Sequence, residues 1–296
     1  MDSPKEKAFF AVLLLEATIG VLSSLFMIIC LFVKKFYKTN MKTYSKILIP
    51  LNMSNLCYCI ILFLNINIGF LWPEVYAKTS MYYTIMYVTL YSITSYLWLA
   101  TVLCVFYFLK IVSSQPGVLT TMKRIDDIIW WLIVTSEVVA LGGGFLSLLL
   151  SPSQINQGNS SITMSDMASP TSTQKAFMGY ILILNSLPFS VIMVTTIGSA
   201  GFLRVYNHQI QKNMAASGET RMRDYRVAIH TMIGLLALYV TILLCNILLL
   251  LDVFSYKHLG YDFCVIFLFS CASSLPALLI YGNPTLRETI RQMFTH

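Results

Sequence analysis

The sequence has little charge. Only 11% of its 296 residues are Asp, Glu, Lys or Arg, against 57% that are hydrophobic, and the mean hydropathy is +0.72. A soluble globular chain carries about 25% charged residues, so this deficit excludes an ordinary cytosolic enzyme and a disordered protein. Catalytic and metal-binding patterns are missing too: there is no HExxH, no GxSxG and no carboxylate pair. Cys30, Cys57, Cys59, Cys104, Cys245, Cys264 and Cys271 all lie inside apolar runs. The Cys57-Tyr58-Cys59 spacing is too close for a CxxC pair, so the cysteines read as small apolar packing residues and no metal or cofactor is expected. The four histidines, His208, His230, His258 and His296, fall near loops or ends. Internal repeats and low-complexity linkers are absent. The run after Lys5 and Lys7 continues to Val33 without a small-residue cleavage site, so it reads as a first span and not a removable leader.

What the chain does have is seven long apolar runs, at about 8–33, 47–71, 81–109, 128–150, 177–203, 227–251 and 259–281. Crossing hydrocarbon takes about 20 apolar residues, and lipid supplies no partner for backbone polar groups, so each run must be helical. The predicted fold is an all-α membrane protein, a seven-transmembrane-helix bundle of one domain over 1–296 with no room for a soluble domain. Pro50, Pro188 and Pro276 stand within or at the edge of spans, where they can kink a helix if neighbours satisfy the freed carbonyls. Gly142-Gly143-Gly144 has no phosphate-binding context and permits close helix packing. Glu16 and Glu137 are formal charges deep within the spans, and each must face the bundle or pair with something. A transporter or proton pump needs a longer polar pathway and matching broken helices in two halves. Neither is present, and a membrane enzyme lacks its motif.

Orientation follows from the cations. Of 20 Lys and Arg, fifteen lie in 34–46, 110–127, 204–226 and after 281; the other five are Lys5, Lys7, Lys78, Lys175 and Lys257. This bias predicts an extracellular N-terminus and a cytoplasmic C-terminus. The basic inner loops then face anionic membrane lipid, and no nucleic-acid partner is expected. The longest exterior loop, 151–176, carries the sequon Asn159-Ser160-Ser161, whereas Asn52-Met53-Ser54 sits inside the second span and Asn283-Pro284-Thr285 is blocked by its proline.

The architecture is that of a receptor, but the rhodopsin-type signatures are missing: no acidic-Arg-Tyr triplet closes the third helix, 151–177 holds no Cys, and 227–251 lacks a Trp followed by Pro. Instead, Trp98-Leu99-Ala100-Thr101 followed by Val105-Phe106-Tyr107-Phe108-Leu109-Lys110-Ile111 resembles the third-helix signature of the type 2 taste receptors, the bitter receptors. Glu16-x3-Gly20, Leu51-x2-Ser54, Pro188-Phe189 with His208 beyond it, and Leu278-Leu279-Ile280-Tyr281-Gly282-Asn283-Pro284-x-Leu286-Arg287 match the same family in order, as does the position of the exterior sequon. Vomeronasal type 1 receptors are the related alternative; the Trp-Leu-Ala-Thr and Tyr-Gly-Asn-Pro stretches favour the taste receptors. The chain departs from the family at Ser24, usually Asn, at Asn55, usually Arg, and at Leu275, commonly His before the proline. Thr89 and Ile93 stand where the family frequently has Trp and Asn. These departures imply a divergent member with a different resting-state clamp between helices one, two and seven.

The resemblance implies a G-protein-coupled chemosensory receptor that binds small lipophilic agonists in an outer pocket and activates a heterotrimeric G protein of the gustducin/Gi type. Helical spacing puts Met86, Thr89, Leu90 and Ile93 on one face of helix three. Alignment to the family adds Ile66, Leu182, Asn185, Ile242, Asn246, Val265, Leu268 and Phe269 as ligand-binding candidates. At the inner ends, Tyr107, Lys110, Ile111, Val112, His208, Lys212 and Arg226 combine apolar anchors with basic residues suited to the acidic end of a G-protein α-subunit helix. Substituting Asn159→Gln should abolish a glycan-dependent mobility shift in a eukaryotic host; a shift that persists would mean that this loop does not face the lumen.

Overall fold

The computed structural model describes residues 4–37, 43–72, 79–112, 121–150, 172–213, 217–251, 253–254 and 259–295. Its helices are α1 (Pro4–Tyr37), α2 (Thr43–Leu71), α3 (Thr79–Val112), α4 (Thr121–Leu150), α5 (Ser172–Asn213), α6 (Ser217–Leu250), α7 (Leu259–Tyr281) and α8 (Pro284–Thr295). Seven of them contain a segment long and apolar enough to cross a membrane: Lys7–Phe32, Tyr44–Ile68, Thr84–Val112, Ile125–Leu146, Leu182–Val205, Arg226–Leu249 and Leu259–Tyr281. The fold is thus the expected helical bundle. Most helices run past their apolar segments, α5 furthest, to Asn213. Hydropathy registers the part of a helix that lies in lipid, whereas hydrogen bonding continues along the polar turns beyond it. The predicted exterior loop is shortened at its end, because α5 starts at Ser172; Asn159 lies outside the described residues.

Helix α8 follows a local signal. Gly282 and Asn283 end α7, and the Asn283 side-chain oxygen accepts from the Leu286 N–H at 3.3 Å while its carbonyl accepts from the N–H groups of Leu286 and Arg287. Asn283 is therefore the N-cap, and Pro284 sits at the first helical position, where its missing N–H costs nothing. Leu286, fully buried, pins the helix to the bundle, and α8 packs against α1 and α7.

Helices α1, α2, α3, α5, α6 and α7 form a closed ring of packed neighbours, and α3 also touches α6 across it. Helix α4 stands outside, packed on α3 with slight contact to α5. Helix α3 is consequently the most buried span. Its Leu97, Leu99, Ala100, Leu103 and Cys104 join Met27 of α1, Leu48 and Leu51 of α2, Ile192 of α5, Met232 of α6 and Leu275 of α7 in one apolar core. The outside is apolar as well. On α1, Val12, Leu15, Ile19, Leu22, Leu25 and Ile29 form an exposed stripe at helical spacing, and α4 exposes Trp130, Trp131, Val138 and Phe145. Such an exterior is stable where the solvent is lipid.

Small residues set the closest approaches. A Cβ on Gly20 would meet Cys59 Sγ at 2.7 Å and the Ser273 Cα at 3.5 Å, so α1 closes on α2 and α7 there. In the glycine triplet, Gly143 and Gly144 receive Leu184 and Tyr87, while Gly142 faces open space. At Gly282 a Cβ would collide with the Thr231 side chain, which fixes the end of α7 against α6. Gly282→Ala should therefore lower the thermal midpoint of the purified protein, with an overpacking cost of about 1–3 kcal/mol, and Thr231→Ala in the same chain should restore part of the loss.

Candidate functional site

Three regions carry polar or exposed chemistry within this frame. The first is the seam between α1, α2 and α7. Pro276 has no N–H for the carbonyl four residues back, that of Ala272. The Asn55 amide reaches across from α2 and donates to the Ala272 carbonyl at 3.1 Å, and it also donates to Ser24 Oγ on α1 at 2.9 Å. Both side chains are fully buried. The two positions that depart from the family's usual polar residues are thus bonded to each other, while Leu275 packs in the apolar core. Along the same seam Ser270 Oγ donates to Glu16 Oε1 at 2.5 Å, Ser23 Oγ donates to the Ser273 carbonyl at 3.5 Å, and Lys5 pairs with Asp262 at 3.4 Å near the helix ends.

The second region is the outer half of the bundle. Met86, Thr89, Leu90 and Ile93 of α3 are half-buried, as are Ile66 of α2, Leu182 of α5, Asn246 of α6 and Val265, Leu268 and Phe269 of α7. Asn185 and Ile242 are buried. Ile93 of α3 and Leu268 and Phe269 of α7 pack against the buried core of the bundle, to which Ile242 of α6 belongs. Two of the polar candidates turn back on their own helices: Thr89 Oγ1 donates to the Ile85 carbonyl at 2.8 Å, and the Asn246 amide to the Ile242 carbonyl at 2.7 Å. This leaves acceptor lone pairs on both side chains.

The third region is the inner end of α3, α5 and α6, where Ile111 is buried with Ile229 of α6, and Phe202 and Leu203 of α5 pack on them. Tyr107 is buried too, beside Phe106. Of the coupling candidates, Lys110, Val112 and Arg226 are therefore the ones exposed in this conformation, whereas Tyr107 and Ile111 face inward because their four-residue spacing puts both on the core side of α3. The side chains of His208 and Lys212 lie outside the described residues. Among the described residues no group of three or more His, Cys, Asp or Glu could hold a metal ion, and the cysteines form no disulfide.

Sequence reasoning required partners for Glu16 and Glu137 without naming them. They are Ser270 for the first, and Tyr91 and Ser95 for the second. Hydroxyl groups are common in the spans, and only the packing of one helix on another selects which of them meets a carboxylate.

Seven membrane-length helices, six in a closed ring that includes a deeply buried third helix and the fourth standing outside it, give the seven-transmembrane architecture of a receptor. The model of the taste receptor protein family (TAS2R) matches residues 1–296. Taste receptor type 2 member 13 of Pongo pygmaeus is 26% identical over 313 residues, covering 97% of this chain and 96% of that one. Taste receptor type 2 member 40 of Gallus gallus is 24% identical over 255 residues, covering 84% and 82%, and member 39 of Homo sapiens is 24% identical over 293 residues, covering 96% and 85%. The chain belongs to the taste receptor type 2 family, the G-protein-coupled bitter taste receptors, and is a multi-pass membrane protein and not a member of an enzyme family. The low identities mark it as divergent.

Breaking the seam should be costly. Asn55→Ala leaves the Ala272 carbonyl without its donor, for which about 1–3 kcal/mol is expected, read as a lowered thermal midpoint in detergent. Asn55→Leu, similar in size but with no donor, should be no better.

Proposed function

We propose that this receptor binds small, neutral, lipophilic bitter compounds between the outer halves of α2, α3, α5, α6 and α7, and signals through a taste-type G protein of the gustducin/Gi class. The observation that carries the ligand class is that Ile93, Leu268 and Phe269 pack on the apolar core that holds Ile242, while the polar candidates, Thr89, Asn185 and Asn246, offer only hydroxyl and amide groups. Burial of an apolar ligand there supplies about 25 cal/mol per Å² before ordering costs. Glu16 is engaged with Ser270, Glu137 with Tyr91 and Ser95, and Asp262, near the start of α7, with Lys5, so no uncommitted counter-charge favours a cationic ligand. The cation bias supports an extracellular N-terminus, and membership of the taste receptor family supports a plasma-membrane location, with the ligand arriving from outside.

Coupling belongs to the opposite end. Lys110, Val112 and Arg226 present the surface for a G-protein α-subunit, with His208 and Lys212 assigned to the same face. Tyr107 and Ile111 would join them only when the ends of α5 and α6 move off α3. An agonist that favours the opened arrangement raises its population and thereby recruits the partner.

The test is a calcium assay in cells with and without a chimeric taste-type G protein. Thr89→Trp and Asn246→Phe should each shift agonist potency by about tenfold or more, equivalent to about 1.4 kcal/mol, with surface level unchanged and the response dependent on the G protein. Unaltered potency in both would remove the pocket from this region. Substrate flux without G-protein dependence would remove the receptor reading itself.

A further inference from the structure

Glu137 is a carboxylate on the peripheral helix α4, within the membrane segment, and it reaches two groups on one face of α3. Tyr91 Oη donates to Glu137 Oε2 at 2.8 Å and Ser95 Oγ donates to Glu137 Oε1 at 2.7 Å. Tyr91 and Ser95 are four residues apart, one above the other on the helix. Ser95 Oγ also lies 2.8 Å from Ser54 Oγ of α2. The Ser95 proton is committed to the carboxylate, so Ser54 is the donor in that pair, and a directed chain runs from α2 through α3 to α4. Each residue advances a helix by about 100°, which puts Tyr91 and Ser95 on the side of α3 away from Thr89 and Ile93.

We propose that Glu137 is a positioning residue that fixes the rotational setting of α3, and through it the face that α3 turns toward the ligand site. Rotation by one residue in either direction would pull both hydroxyls off the carboxylate and leave it unpaired in hydrocarbon, where an ionisable group is expensive. Apolar packing resists such a turn far less selectively, because Leu, Ile and Met side chains on neighbouring positions of α3 can repack. Helix α4 has only slight contact with the ring apart from α3, and beside the two short carboxylate bonds its directional contacts are longer, Tyr180 Oη to the Gly143 carbonyl at 3.5 Å and Lys46 to Asp126 at 3.8 Å. The consequence for ligand recognition rests on the assignment of Thr89 and Ile93 to the ligand face; the rotational setting itself does not.

The experiment needs no agonist. In the full-length receptor carrying Cys57→Ser, which removes the one exposed cysteine and leaves the six buried ones, Val88→Cys and Leu90→Cys are introduced separately. These positions flank Thr89 on opposite sides of α3. Their reaction rates with N-ethylmaleimide in membranes are compared with Glu137 intact, with Glu137→Leu and with Glu137→Gln. A turn of α3 exposes one flank as it hides the other, so Glu137→Leu should change the two rates in opposite directions, each by about threefold or more. Glu137→Gln, which keeps one acceptor oxygen, should give a smaller change of the same signs. If Glu137→Leu does not reach the membrane, the pair Tyr91→Phe and Ser95→Ala in one chain removes both donors and should produce the same opposite changes. Rates that rise together would indicate general loosening, and unchanged rates would indicate a register set by packing; either result overturns the proposal. Opposite changes, together with unaltered potency in the bulky variants of the candidate pocket, would uphold the positioning role and reject the pocket instead.

Discussion

Lipid offers no hydrogen bonds, so the carbonyl of Ala272, deprived of its helical donor by Pro276, must find one from another helix or remain unsatisfied in hydrocarbon. The Asn55 amide supplies it at 3.1 Å and spends its second proton on Ser24, 2.9 Å away. One side chain thus holds three helices at a defined height and rotation. The neighbouring contacts depend on that setting. Gly20 can close on Cys59 and Ser273 only when α1 and α7 are in this register, and the Glu16–Ser270 and Ser23–Ser273 bonds lie on the same line. A longer basic residue at position 55 could reach further and carry charge. With the short amide, the helices approach closely and the clamp is neutral.

Polar contacts of this kind are few, and in a bilayer they have unusual structural weight. Apolar side chains gain little by leaving lipid for the interior, since both surroundings are hydrocarbon, and helix association relies on close packing of small residues and on hydrogen bonds. The described residues show this division. The seam on α1, α2 and α7 fixes one side of the ring, the chain Ser54–Ser95–Glu137–Tyr91 fixes α3 and α4 on the other, and the apolar core fills the space between them. Helices α5 and α6 meet the rest mainly through apolar contacts, including the Ile111–Ile229 contact with Phe202 and Leu203 at the inner end. Contacts without directional bonds can be exchanged at low cost, which suits the part of a receptor that must have two arrangements.

The sequence by itself determined the solvent, the helical class, the number of spans and, through the third- and seventh-helix motifs, the family. Each of these follows from composition or from residues adjacent in the chain: a run of about 20 apolar residues has only one way to satisfy its backbone in lipid. It also marked Glu16 and Glu137 as groups in need of partners. Two local features were missed although their signals were present, the polar continuation of α5 to Asn213 and the Asn283-Pro284 start of α8, because a hydropathy reading ends where the lipid ends. The tertiary structure alone decided which hydroxyls meet the two carboxylates, that Asn55 serves the carbonyl freed by Pro276, and that Tyr107 and Ile111 turn inward while Lys110 and Val112 do not. Those outcomes join residues up to 254 positions apart, and they are set by the rotation of whole helices about their axes. Runs that are apolar on every side leave that rotation undetermined until the helices pack.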